Sequence, residues 1–222
     1  MKALLLARYK HHERYFSALA KASRFAMRVI TLKSLPWLKP TLWQKLFQAN
    51  TADAVSYHMM SKTRKQADKS PLFWKLYITA NQLRAALCYA QFYQLLSTEK
   101  PDALVVWNGG TWFFKSAIQA ATELGITVFY GENGLLPNTT TLDAKGINYA
   151  NSLPRDPTFY HALTHYRSDF SSNLQPRHSA RSLSAQAITL PACYIFVPFQ
   201  VNTDSQIILN SPWIPDMYRL LD

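Results

Sequence analysis

Glycine is scarce in this chain, and its few positions are clustered. Only six glycines occur among the 222 residues, and all six lie between positions 109 and 146. Glycine is used where the backbone takes a positive φ or must approach another group closely. The sequence therefore predicts that unusual backbone geometry is concentrated in this one window.

Cysteine is almost absent, and no apolar run is long. Cys88 and Cys193 lie far apart, without a second Cys or a close His to complete a metal spacing. This pattern excludes a disulfide framework and indicates buried thiols in a reducing compartment. The apolar run at 3–7 is too short for a signal-peptide core, and polar residues interrupt 72–96 too often for a membrane span. We therefore expect a cytoplasmic protein.

Patterns that bind metal are missing too. No D-x-D motif occurs, and His161 and His165, four residues apart, have no third ligand nearby. His11 and His12 follow the first apolar run, where a phosphate or an acceptor would lie, but an exposed helix start is the favoured interpretation. We expect neither a metal nor a cofactor.

Acidic residues are few in the first hundred positions. Seventeen Lys and Arg stand there against four Asp and Glu, a net charge of +13, whereas the rest of the chain has seven against nine, a net charge of −2. A basic half of this kind suits an anionic membrane leaflet, an acidic polymer or nucleic acid. A solvated basic surface without a partner is the alternative. No zinc-finger, KH or RRM signature is present, so nucleic acid is disfavoured.

Strand and helix patterns alternate along the chain. Short apolar runs predict four strands, at 3–7, 27–32, 103–107 and 126–130. Longer stretches predict helices at 10–23, 72–96 and 112–124, and prolines break residues 36–70 into helical pieces. The alternation predicts an α/β fold that is Rossmann-like, with a mostly parallel sheet.

Helical spacing assigns core-facing residues on two helices. The first helix has Tyr15, Leu19 and Ala22 on one side, and the long helix has Leu76, Leu83, Leu87 and Ala90. Five aromatic residues lie among the lysines of the first half: Trp37, Trp43, Phe47, Phe73 and Trp74. Core packing is the favoured interpretation for them, and a surface that sits at a bilayer interface is the alternative.

The glycine window has the order strand, turn, helix, strand. Asn108, Gly109 and Gly110 form a predicted tight turn, Thr111 is a plausible N-cap, and Gly125 ends the helix. In a parallel sheet such a turn lies at the carboxyl edge, where ligands bind and a helix N-terminus favours an anion. The turn lacks the full G-x-G-x-x-G fingerprint, so a plain turn without a ligand is equally compatible.

Two carboxylates follow in the same window. Glu132 comes directly after the predicted strand at 126–130, which places it at the same edge of the sheet. Asp143 closes a run of threonines, and its D-x-x-G spacing to Gly146 also suits an Asx-type turn. A purely turn-stabilising role is the alternative for each acid.

Two blocks of sequence resemble a known family. ENGLLPNTTTLDAKGIN, at 132–148, and VPFQVNTDSQI, at 197–207, resemble the bacterial capsule polysaccharide synthesis proteins, which are retaining β-Kdo glycosyltransferases that use CMP-Kdo. The most specific matches are Glu132, Gly134, Asp143, Gly146, Asn148, Gln200 and Asp204. Some members have Asp after the Glu, where this chain has Asn133.

The resemblance implies a GT-B-like pair of Rossmann-type domains. The first, at 1–166, would bind the acceptor; 167–191 would be a linker; and 192–222 would begin a truncated nucleotide-binding domain whose first strand is 194–199. The implied activity is transfer of Kdo from CMP-Kdo to a lipid or glycolipid acceptor of the capsule at the inner-membrane surface, together with capsule-assembly proteins. A non-catalytic binding module with membrane or polysaccharide affinity is the alternative.

Retention at an anomeric carbon needs a nucleophile and a base, and carboxylates serve in both roles. We assign Asp143 as nucleophile and Glu132 as general base, and the reverse assignment stays open. The turn after 103–107 supplies three candidate substrate-binding residues: Asn108, Gly109 and Gly110. The two blocks that carry the resemblance supply the others: Asn133, Gly134, Asn148, Gln200, Asp204 and Ser205. Asp204 suits equally well the N-cap of a helix that begins near Ser205.

Overall fold

A computed structural model gives the architecture of the chain. It describes residues 1–66, 68–134, 136, 139–163, 191–211, 213–214 and 216–221. The predicted linker at 167–191 therefore lies almost wholly outside the described residues.

A five-stranded sheet organises the protein. Its strands are β1 Lys2–Leu6, β2 Ala26–Ile30, β3 Ala103–Trp107, β4 Thr127–Asn133 and β5 Thr140–Asp143, in the order β2-β1-β3-β4-β5. The first four strands run parallel, and β5 pairs antiparallel with β4. The predicted α/β, Rossmann-like fold is confirmed.

Helices flank the sheet. They are α1 Lys10–Ala22, α2 Thr51–Lys65, α3 Pro71–Glu99, α4 Trp112–Glu123, α5 Pro157–His161 and α6 Ser205–Asn210, with 3₁₀ turns at Leu32–Ser34, Pro40–Gln48 and Asn148–Ala150. Side-chain caps explain four of the starts. The side chains that accept hydrogen bonds at the first turns of α2, α3, α5 and α6 are Asn50, Ser70, Asp156 and Asp204. None of the described helices is long and apolar enough to cross a membrane.

Alternating side chains of β1 and β3 divide the core into two layers. Leu4, Leu6 and Val106 pack with α3 and α4 on one face of the sheet. Leu5 and Val105 pack with α1 on the other face. The point where the chain switches faces lies between β1 and β3, which is where ligands bind in sheets of this kind.

The inner face predicted for α3 is wrong in three of its four residues. Leu76, Leu83 and Leu87 are exposed, and only Ala90 is buried. The core side of α3 includes Ala85, where the Ser116 hydroxyl of α4 donates to the backbone carbonyl at 3.1 Å. This side combines small residues such as Ala85 with large buried ones such as Phe92, so the leucine spacing does not mark the face that packs in the core.

The inner face predicted for α1 is wrong in two of its three residues, and of these three Leu19 alone packs against the core. His12 and Phe16 are buried, whereas Tyr15 and Ala22 are exposed. His12 stacks on Trp107, with ring centroids 5.2 Å apart, so it is not part of an exposed helix start. The partly buried Trp107 ring, which sequence periodicity does not reveal, sets the rotation of the helix.

Four of the five aromatic residues that lie among the lysines of the first half do not pack in the core. Trp37, Trp43, Phe47 and Phe73 are exposed, so the favoured core interpretation is wrong for these four. Trp74 is different, because it packs against the buried cluster formed by α2 and α3.

The strand predicted at 194–199 is absent, and those residues have no regular secondary structure and are exposed. No strand among the described residues lies beside them to pair with. Cys193 is exposed, against the expectation of a buried thiol, while Cys88 is buried. The chain around α6 contacts α2: Tyr57 donates to the Thr203 carbonyl at 3.2 Å, and Arg64 donates to the Asn202 carbonyl.

Candidate functional site

The turn after β3 has the predicted unusual backbone. Asn108 and Gly109 have φ values of 66° and 77°. The Asn108 backbone N–H donates to the Gly131 carbonyl at 2.8 Å, which ties the turn to β4. The Asn108 side chain accepts from the Gly110 N–H at 3.3 Å and so closes the turn on itself.

Glu132 meets this turn directly. Its Oε2 accepts a hydrogen bond from Asn108 Nδ2 at 2.8 Å, and its Oε1 accepts from the Asn133 N–H at 2.9 Å. Glu132 lies inside β4 and not after the strand, because pairing with β5 extends β4 to Asn133. With one bond to each oxygen, the carboxylate keeps acceptor capacity for a ligand.

The register places the two carboxylates on one face of the sheet. Glu132 pairs with Thr141, and Asp143 pairs with Tyr130. Paired residues of an antiparallel ladder share a face, so Glu132 and Asp143 are diagonal neighbours, at about 7–8 Å in a regular ladder.

Asp143 is engaged by its own turn. Oδ1 accepts from the N–H groups of Lys145 and Gly146, and Oδ2 accepts from the N–H and the hydroxyl of Ser152, at distances of 2.6–3.0 Å. These bonds, the Ser152 hydroxyl first, hold the pKa of the Asp143 carboxyl well below its usual range. The Asx-type turn is thus present, and the nucleophile role stays a prediction.

We expect Ser152→Ala to raise the pKa of Asp143 towards its ordinary value, because it removes the strongest donor to the ionised form. The wild-type bonds stabilise the fold above the unfolded pKa of an aspartate, and this stabilisation is lost as the pH falls through the lowered folded value. Carboxyl chemical shifts followed by NMR across the pH range measure the pKa of Asp143 in the wild type and in the variant. Thr158→Val is the control, since it removes the hydroxyl that donates to Asp156. An unchanged Asp143 titration in Ser152→Ala would contradict the assignment.

Two neighbouring cavities collect the other predicted residues. The first, about 670 Å³, is lined by Asn108, Gly109, Gly110 and Ser205, together with Lys115 and Lys145. The second, about 750 Å³, is lined by Asn133, Gly134, Asp143, Asn148 and Gln200. Gly146 and Ile147 line both. The structure therefore gathers the predicted residues at one edge of the sheet, on either side of the Gly146 segment.

Asp204 has the alternative role foreseen for it. Its side chain accepts from the Gln206 N–H at 2.8 Å and caps α6. Ser205 and Gln206 face the first cavity from this helix start. Contact of these residues with a donor stays a prediction.

Sequence reasoning missed three basic residues near this edge. The Arg8 guanidinium, just after β1, lies over the rings of Tyr9 and Trp112 and has no carboxylate partner in the described part of the chain. Lys115, in the first turns of α4, donates to Asp53 at 2.8 Å, and Lys145 lines the first cavity. Only the position of Arg8, directly after an apolar strand, gives a sequence signal.

Thr111 holds the N-cap position of α4 without capping it. Its backbone is extended, but its hydroxyl makes no cap hydrogen bond. The Oγ1 atom is buried and has no hydrogen-bond partner among the described residues. The first N–H groups of α4 are therefore not satisfied by the predicted cap.

A third cavity, about 480 Å³, opens on the α1 side. It is lined by His11, His12, Tyr15, Trp107 and Asn133, with Thr139 and Thr140. Burial, followed by the charges of His11 and Arg8, lowers the pKa of His12 to about 4, so this ring is neutral at pH 7. Among the described side chains, no three His, Cys, Asp or Glu form a group that could hold a metal ion.

Gly109→Ala should destabilise the fold more than Gly125→Ala does. Both glycines have positive φ, so both variants pay the left-handed strain of about 1–2 kcal/mol. An added Cβ at Gly109 would also lie 2.9 Å from the Tyr130 ring, whereas one at Gly125 meets nothing within 4 Å. Urea unfolding of the two variants measures the difference, and equal midpoints would show that Tyr130 moves aside freely.

Comparison with known proteins gives one informative match. No protein-family model matches the chain, and no solved structure matches it significantly. The chain is similar to Protein FixF of Sinorhizobium fredii (strain NBRC 101917 / NGR234), with 34% identity over 151 residues. The match covers 66% of this chain but 36% of FixF, so the chain spans about a third of that relative. The name FixF states no activity.

Proposed function

We propose that this chain is part of a retaining glycosyltransferase that transfers Kdo from CMP-Kdo to a lipid or glycolipid acceptor of capsular polysaccharide. One observation carries the proposal: a carboxylate fixed by Asn108 at the carboxyl edge, on the same face as a second carboxylate. The two sequence blocks that resemble the capsule family supply the substrate class. The proposed fold is GT-B-like.

The reaction has two displacements. A carboxylate attacks the anomeric carbon of Kdo, the bond to the CMP phosphate breaks, and CMP leaves with the bonding electrons. A second carboxylate then takes the proton from the acceptor hydroxyl, whose oxygen attacks the same carbon and releases the first carboxylate. Two inversions give net retention.

The hydrogen bonds bear on which carboxylate takes which role. A nucleophile needs a free lone pair, and the four donors to Asp143 fill the acceptor positions that a carboxylate usually offers. Asp143 would attack only after a donor such as the Ser152 hydroxyl turns away. Glu132 accepts two bonds and needs no such change, so it suits a base and equally suits the reverse assignment.

Two cavities supply the proposed contacts to the donor. Gln200 and Ser205 line these cavities and are the proposed contacts to CMP-Kdo. Arg8, which has no carboxylate partner among the described residues, and the uncapped start of α4 are the groups at this edge that suit an anionic ligand. In the family that the sequence resembles, a second domain binds the nucleotide.

Incubation of the protein with CMP-Kdo and a capsule glycolipid acceptor tests the proposal. The expected results are a Kdo-extended glycolipid and, when the acceptor is left out, a covalent Kdo adduct found by peptide mass spectrometry. An adduct on Asp143 supports the first assignment, and one on Glu132 supports the reverse. If no product, no adduct and no release of CMP were detected, the transferase proposal would be wrong and the non-catalytic binding module would be the remaining alternative.

A further inference from the structure

We propose that the outer face of α3, together with Trp37, docks onto the surface of a bilayer that contains anionic phospholipid. This inference rests on an exposed apolar surface of α3, which includes neither Glu132 nor Asp143. It does not depend on the proposed transfer reaction.

Four leucines form an exposed stripe on the first half of α3. Leu72, Leu76 and Leu83 have 66%, 65% and 67% of their surface exposed, and Leu87 follows on the same side. Their spacing returns to one side of a helix that has about 3.6 residues per turn. From Leu72 to Leu87 the stripe runs for about 22 Å at 1.5 Å per residue. The exposed Thr79 and Ala80 fill the gap between Leu76 and Leu83, so the stripe is mainly apolar. An exposed, mainly apolar stripe of this length marks an interaction surface.

Basic residues border the stripe on both sides. Lys75 and Arg84 are exposed and lie on opposite flanks of the leucines. No Asp or Glu occurs between Lys69 and Thr98. An apolar stripe with cationic flanks is the pattern of helices that lie in the interface of an anionic membrane.

The second half of the same face is covered by the chain before α2. Gln91 donates to the Pro36 carbonyl at 2.9 Å, and Gln94 donates to the Trp37 carbonyl at 3.1 Å. Gln94 also accepts from the Lys39 N–H at 2.9 Å. These bonds fix Trp37, which has 95% of its surface exposed, beyond the Leu87 end of the stripe. Tryptophan favours the headgroup level of a bilayer.

Charge selects the bilayer over a second copy of the chain. Two stripes packed on each other would bring the cationic flanks of both copies together with no carboxylate on either flank. An anionic leaflet supplies the opposite charge, at about 1 kcal/mol for each Lys or Arg near the surface. The basic first half of the sequence adds to the same attraction.

Vesicle co-sedimentation tests the proposal with the full chain. The wild type should bind vesicles of equal parts phosphatidylglycerol and phosphatidylcholine, and should not bind phosphatidylcholine alone. Leu76→Glu with Leu83→Glu should weaken binding by about tenfold or more, because two apolar side chains no longer enter the interface. Leu163→Glu, at an exposed leucine elsewhere, is the control and should bind as the wild type does.

Charge reversal separates the two contributions. Lys75→Glu with Arg84→Glu should weaken binding at low salt and flatten its salt dependence. Lys10→Glu with Arg14→Glu makes the same charge change on α1, across the sheet, and should have the smaller effect. Circular dichroism checks that each variant is folded. The proposal would be overturned if the Leu76/Leu83 variant bound vesicles as well as the wild type does. It would also be overturned if the wild type formed a dimer but did not bind vesicles, and the Leu76/Leu83 variant were a monomer.

Discussion

Glu132→Gln should lower the rate of Kdo transfer by about a hundred- to ten-thousand-fold, the usual cost of losing a general base. The substitution keeps the size of the side chain and leaves an amide oxygen to accept from Asn108 Nδ2, which donates to Glu132 at 2.8 Å. The turn after β3 should therefore persist. The loss is expected in kcat, because the charge that is removed acts on the acceptor proton.

Two companion variants make this result specific. Asn108→Ala should give a smaller loss, since Glu132 keeps its charge but loses the partner that orients it. Asp156→Asn changes another carboxylate, which accepts from the Thr158 N–H at the start of α5, and should leave the rate unchanged. Initial rates with CMP-Kdo and the glycolipid acceptor measure all three. Full activity of Glu132→Gln would remove Glu132 from the mechanism and leave Asn108 with the turn alone.

Phe92→Ala should destabilise the protein by about 3–5 kcal/mol, the cost of emptying a large buried site. Phe92 is fully buried on the core side of α3, and its ring lies 5.4 Å from that of Phe113. Leu83→Ala is the matched control on the opposite side of the same helix, and should change the free energy of unfolding by no more than about 0.5 kcal/mol.

Urea unfolding of both variants measures the contrast. The leucine spacing alone predicts the opposite ranking, because it places Leu83 inside. A larger loss for Leu83→Ala than for Phe92→Ala would mean that α3 is rotated relative to the structure described here.

The sequence predicted the four parallel strands because each contains a short apolar run, whereas the run at 194–199 formed no strand. β3 matches its predicted range, and β1 and β2 differ from theirs by one or two residues at each end. The turn at Asn108 was also predictable, because Asn and Gly readily take positive φ and both do so here. These signals are local, so no knowledge of the tertiary structure was needed.

Helix faces and β5 were not predictable in this way. α3 has apolar residues on both sides, so its periodicity cannot say which side α4 covers. β5 is a run of threonines that read as a loop, and it becomes a strand only through pairing with β4. Only part of the hydrogen bonding to Asp143 was predictable from the sequence. The D-x-x-G spacing indicates the bond from Gly146, whereas Ser152 lies nine residues away and has no such spacing signal.

The β4–β5 ladder gives the two carboxylates a common frame of motion. Glu132 and Asp143 belong to one antiparallel hairpin whose register pairs Glu132 with Thr141 and Tyr130 with Asp143. Any movement of this hairpin therefore carries both acids together. Their spacing is set by the hairpin itself, so a ligand that reaches both carboxylates meets them at one fixed separation.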